Sequence, residues 1–152
     1  MRKLNFLAAC LIMAGATACS DDDSNSKVNG NATAVANNLK SGTWKISSFI
    51  EETNDETAHF QGYNFTFGEN NVLTATNGTD TYTGTWSVFD DDSSDDDGFD
   101  SDIDVVINFA APDDFTDLSD DWDVKARTGT ELQLIDVSGG DGGTDLLTFQ
   151  KN

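Results

Sequence analysis

From Gly42 onward, apolar and polar positions alternate along the chain. Trp44, Ile46 and Ser48 alternate with Thr43, Lys45 and Ser47, and Tyr63, Phe65 and Phe67 with Asn64 and Thr66. Tyr82, Gly84, Trp86 and Val88 are interleaved with Thr81, Thr83, Thr85 and Ser87. Ile103, Val105, Ile107 and Phe109 follow the same rule, with Val106 as the one apolar residue on the polar side. Trp122, Val124 and Ala126 alternate with Asp121, Asp123, Lys125 and Arg127. A period of two with one apolar and one polar face marks half-buried antiparallel strands.

Turn chemistry separates these runs. Gly68-Glu69-Asn70-Asn71, Asn77-Gly78, Thr128-Gly129 and Ser138 to Gly143 are turn signals, and the single proline, Pro112, falls between strands. Eight strands are expected, near 43–52, 60–67, 71–76, 80–89, 102–109, 120–127, 131–137 and 145–150. Helical periodicity is confined to a turn around Val35 to Lys40. Short links between successive strands favour up-and-down order, and eight such strands close on themselves and remove the exposed edges. The fold class expected is all-β, an eight-stranded antiparallel up-and-down barrel. An open β-sandwich shares the pattern and stays open as the alternative.

The first 40 residues differ in character. Met1-Arg2-Lys3 supplies positive charge, Leu4 to Ala18 is apolar, and Ala16-Thr17-Ala18 are small residues before Cys19. That order predicts a secretory signal over 1–18, too short to be a transmembrane helix. The small residues before cysteine resemble the bacterial lipobox, which implies acylation of Cys19 as the new N-terminus. Ser20-Asp21-Asp22-Asp23 resembles the acidic tag of surface-exported Bacteroidetes lipoproteins. Residues 19–38 are polar and rich in Asn, Ala and Ser, and are expected to be a flexible tether, leaving 39–152 as the folded domain. The expected location is the outer membrane, on the cell surface.

Charge narrows the partners. The chain has 8 Lys and Arg against 28 Asp and Glu. Such an excess of carboxylates repels phosphates and anionic headgroups, which excludes nucleic acid as a partner. Attachment to a membrane then depends on acyl chains. Cys10 leaves with the signal and Cys19 carries lipid, so no disulfide is expected and the domain depends on its hydrophobic core.

Several stretches together, "SGTWKISSF", "GYNFTF", "TATNG", "GTWSV" and "LTFQK", are similar to small lipocalin-like lipoproteins of the Bacteroidetes type. Gly42-Thr43-Trp44 resembles the Gly-x-Trp that opens the first lipocalin strand. The resemblance implies a barrel with a ligand site. It also implies a late Arg packed over the first-strand Trp, yet no Arg follows Arg127.

An eight-stranded barrel is just wide enough to be filled by side chains or to hold one small ligand. Nine aromatics are expected inside: Trp44, Tyr63, Phe65, Phe67, Tyr82, Trp86, Phe109, Trp122 and Phe149. The candidate ligand pocket is Trp44, Tyr82, Gly84 and Trp86, because a glycine between two aromatics on one face leaves space.

The stretch "FDDDSSDDDGFDSDID", Phe89 to Asp104, carries nine aspartates. Crowded carboxylates attract calcium, which takes six to eight oxygen ligands. Asp92, Asp95, Asp97 and Asp100 are the candidate ligands of a loose calcium site. An EF-hand is excluded by Ser93 at its first ligand position and by the lack of flanking helices. "GGDGGTD", Gly139 to Asp145, is a single glycine-rich turn and not a stacked calcium repeat. Both barrel ends are expected to be negative, which disfavours anionic ligands.

His59 is the sole histidine, which rules out a three-histidine metal site. No nucleophile motif surrounds any serine, and paired carboxylates carry no diagnostic force among 28 acids. The expectation is a non-catalytic, cofactor-free binding module for a small neutral or apolar molecule or a protein. The alternative is an envelope-interaction protein with a solid barrel whose acidic loops bind calcium or a basic partner, and a third reading is an inhibitor of secreted proteases.

Overall fold

The computed structural model describes residues 32–90, 103–138 and 143–152. Strands β1 (Thr43–Glu51), β2 (Asn54–Asp55), β3 (Asn64–Phe67), β4 (Val72–Thr76) and β5 (Thr81–Asp90) are followed by β6 (Ile103–Asn108), β7 (Asp120–Arg127), β8 (Glu131–Val137) and β9 (Thr144–Lys151). Apart from β2, a two-residue hairpin arm on β1, these are the eight strands expected. Each pairs antiparallel with the next, from β3 through β9. β1 then pairs with both β3, through Trp44 and Phe65, and β9, through Ile46 and Phe149. The sheet therefore closes into an up-and-down barrel, and the open sandwich is excluded.

Alternation places the apolar face inside. Phe65, Leu73, Ile103, Val105, Leu147 and Phe149 are fully buried. Two irregularities shift the pattern. A bulge between Ile46 and Ser48 adds a residue to β1, so Phe49 turns into the core and Ser48 is only half-buried. A second break, between Val124 and Ala126, leaves Ala126 half-buried on β7.

Both barrel ends are covered by short helical segments. Helix α1 (Ala32–Lys40) lies across the end where β1 begins and buries Val35 and Leu39, four residues apart on one face. Residues 32–38, expected as part of a tether over 19–38, are helical here. A sparse apolar pair inside an Asn- and Ala-rich sequence is enough for a helix when the barrel supplies the other half of the contact. Residues 1–31, including Cys19, lie outside the described residues.

At the opposite end, a 3₁₀ turn (Thr57–Phe60) replaces the start of the expected strand 60–67. A short helix α2 (Asp113–Thr116) lies between β6 and β7. These elements insert Phe60 and Phe115, and Leu118 follows just after α2; all three are buried. Phe115 meets the rings of Phe60, Tyr63, Phe65, Tyr82 and Phe109 at centroid distances of 5.3, 5.1, 6.1, 4.8 and 5.2 Å.

The three tryptophans tie these closing segments to the wall. Trp44 Nε1 donates to the Leu39 carbonyl at 2.8 Å, at the end of α1. Trp86 Nε1 donates to the Gly68 carbonyl at 3.0 Å, in the β3–β4 turn, and Trp122 Nε1 to the Leu118 carbonyl at 3.1 Å, just after α2. Each buried indole N–H thus finds an acceptor, as burial requires. Lys151 occupies the place over Trp44 for which no late Arg was available. Its Nζ lies 5.4 Å from the ring centroid and donates to Ser41 Oγ at 2.7 Å. Gly42 lets this stem pass, since a Cβ there would stand 2.7 Å from Lys151 Cε.

Candidate functional site

The four residues expected to form one internal pocket are distributed along the barrel. Trp44 is fully buried beneath α1. Tyr82 is half-buried near the other end, 5.8 Å from the Tyr63 ring and against Phe115. Gly84, between them, opens no space. A Cβ at Gly84 would come 2.3 Å from the Asn108 carbonyl oxygen and 2.8 Å from Phe109 Cδ1. The missing side chain serves close approach of β6 and its Phe109, so the pocket beside Gly84 is corrected to packed core.

Trp86 borders a groove at the α1 end. The groove, of about 200 Å³, runs along the rim between α1, the β3–β4 turn and β5. Ala36 and Lys40 of α1 form one wall, Asn70 and Asn71 of the turn form the other, and Trp86, Ser87 and Val88 complete it. Asn70 and Asn71 have φ of 55° and 62°, the left-handed region that Asn tolerates better than most side chains. Lys40 Nζ and Glu69 Oε1, both among the lining residues, form an ion pair at 3.4 Å. Among the described residues, the side chains of Asn70, Asn71 and Ser87 have no hydrogen-bond partner. Of these groove residues the sequence pointed only to Trp86. The available signal was the polar turn Gly68–Asn71, which up-and-down order sets at the same end as the start of β1.

The other end is acidic. Glu51, Glu52, Glu56, Asp117 and Asp145 come together there, and among the described residues no Lys or Arg lies at this end. Burial, then Asp117 and Asp145, push the Glu51 carboxyl above its ordinary range. Burial, then Asp120, do the same to Asp136 despite a hydrogen bond from Ser138. Asp55 shifts the other way because the Thr57 hydroxyl and N–H donate to it. His59 Nδ1 sits 3.4 Å from Glu56 Oε2 and 3.6 Å from Asp114 Oδ1, half-exposed between two carboxylates and not beside a serine.

Asp145, at the end of the glycine-rich turn, is engaged by the Glu52 N–H at 2.7 Å. The proposed calcium ligands Asp92, Asp95, Asp97 and Asp100 lie outside the described residues. Among the described residues, no three His, Cys, Asp or Glu side chains are placed to hold a metal ion.

No protein-family model and no curated protein matches this chain. Among solved structures it is similar to a DUF4847 family protein from Bacteroides vulgatus, known from its crystal structure. The two share 18% identity with a TM-score of 0.48, over 78% of this chain and 97% of that one.

Proposed function

We propose that this chain is a non-catalytic binding module of the bacterial envelope. Lipid on Cys19 holds it at the outer membrane, facing outward, and it engages its ligand or partner through its surface and not through its interior. The observation that carries this reading is the filled barrel. Phe109 occupies the space at Gly84, and helical segments cover both ends. An apolar ligand would have to displace buried aromatic rings, so a neutral molecule at the rim or a protein partner fits better. The surplus of 20 negative charges disfavours nucleic acid and anionic ligands.

Titration with a fluorescent fatty-acid analogue at micromolar concentration tests the reading. No saturable binding is expected to the folded protein. Stoichiometric binding that an unlabelled fatty acid displaces would overturn it. Export is tested by labelling intact cells, where a Cys19→Ser chain should lose its membrane attachment.

A second reading is a solid barrel whose acidic loops bind calcium or a basic protein. Calcium would be held through Asp92, Asp95, Asp97 and Asp100, after β5. For a basic protein, the opposite end with Glu51, Glu52, Glu56, Asp117 and Asp145 offers a negative surface. Calcium that binds the folded state alone raises the melting temperature by mass action. A flat melting temperature at millimolar calcium counts against the metal, and salt-insensitive affinity for a basic protein counts against the partner.

A further inference from the structure

We infer that the groove beside Trp86 is a binding site for a single neutral sugar ring. This rests on the surface-acting reading above and names its ligand class.

Size comes first. At about 200 Å³, the groove is smaller than the roughly 300–1,000 Å³ of sites for drug-sized ligands, and it suits one six-membered ring.

The lining then selects the chemistry. The Asn70 and Asn71 amides each offer two donors and one acceptor, and the Ser87 hydroxyl offers both. None of the three has a partner among the described residues, so their hydrogen-bonding capacity is open to a ligand. Lys40 and Glu69 add a donor and an acceptor whose charges offset each other at 3.4 Å. A ligand charged in either sense would break that balance. Vicinal hydroxyls, each a donor and an acceptor, match it. Ala36, Val88 and the small accessible edge of Trp86 supply the apolar part of the lining, against which C–H groups of a pyranose can rest.

The floor and one wall are preorganised. Trp86 is 6% exposed and its indole is held by the Gly68 carbonyl at 3.0 Å. α1 is fixed by Val35 and Leu39 in the core. Binding therefore costs little backbone ordering, although a single ring with few contacts is limited to dissociation constants on the order of 1 mM.

The test uses the full chain and methyl glycosides of glucose, galactose, mannose and N-acetylglucosamine, read by saturation-transfer NMR and by tryptophan fluorescence. Saturable binding of at least one glycoside is expected. The double variant Asn70→Gly, Asn71→Gly keeps the left-handed backbone and deletes both amides, and should weaken binding at least tenfold with little change in melting temperature. No saturable binding of any glycoside at tens of millimolar overturns the site, as does binding that the double variant leaves unchanged. If the glycosides fail while the fatty-acid analogue stays excluded, the sugar assignment falls and the surface-acting reading stands. If the fatty-acid analogue enters the barrel, that reading falls too.

Discussion

Phe115 offers the sharpest test of how the barrel is closed. Its ring is 2% exposed and contacts five other rings, four of which come from outside α2 and the 3₁₀ turn. Phe115→Ala removes a transfer contribution of about 1.5–3 kcal/mol. The cavity left behind adds to it, which puts buried Phe→Ala changes at about 3–5 kcal/mol in total. Aromatic pairs contribute about 0.5–1.5 kcal/mol each in isolation. Five pairs sharing one ring do not add, yet they place this site in the upper part of the range. For a domain of this size, about 4 kcal/mol lowers the melting temperature by roughly 15 °C.

The assay is urea unfolding followed by circular dichroism, with calorimetry for the melting temperature. Phe89→Ala is the control, because Phe89 is 44% exposed and its loss should cost less than about 0.5 kcal/mol. An apolar cavity of ring size stays dry and accepts small aromatics. Benzene should therefore stabilise Phe115→Ala and leave the parent unchanged. A loss below about 1 kcal/mol, or no response to benzene, would refute the account of α2 as the closing element.

Three further outcomes follow from the same contacts. Lys151→Ala should cost about 1 kcal/mol through the lost cation–π contact with Trp44, with Lys151→Arg near neutral; equal losses in both would assign the effect to packing alone. Deleting 32–40 should cost more than about 3 kcal/mol, since it uncovers the barrel end and leaves the Trp44 indole N–H without its acceptor; a chain of unchanged urea midpoint would show α1 to be dispensable. Glu51 and Asp136 have folded-state pKa values raised above their unfolded values of 4.5 and 3.8, so the folded chain holds these protons more tightly. Their contribution to stability is therefore most favourable in acid and falls as pH rises from those unfolded values through the raised folded ones. Glu51→Gln and Asp136→Asn should each raise the melting temperature at pH 7 and lose that gain near pH 4, and a lowered melting temperature at pH 7 would refute the assignment.

The strands were legible because a half-buried sheet imposes one rule, a period of two, and all eight barrel strands obey it over most of their length. The rule fails where backbone geometry adds a residue, so Phe49 enters the core only through the bulge after Ile46. The closing elements were harder to see. α1 offers two apolar anchors four residues apart, and α2 is four residues long, with Phe115 and Leu118 spaced by three. Neither makes a continuous amphipathic pattern, because each covers an end of the barrel and does not span a face of it.

Gly84 shows the same limit at the candidate site. A glycine in a strand means that something comes close, and sequence alone does not say whether it is a ligand or another strand. Here it is the Asn108 carbonyl and the Phe109 ring. The lipocalin resemblance implied a late Arg over Trp44; Lys151 stands there instead, with its Nζ 5.4 Å from the ring, within reach of the same cation–π attraction. With the interior occupied by its own aromatics, the proposed ligand site falls on the surface, at the rim beside Trp86. There the Asn70 and Asn71 amides have no partner among the described residues, and Lys40 and Glu69 offset each other's charge.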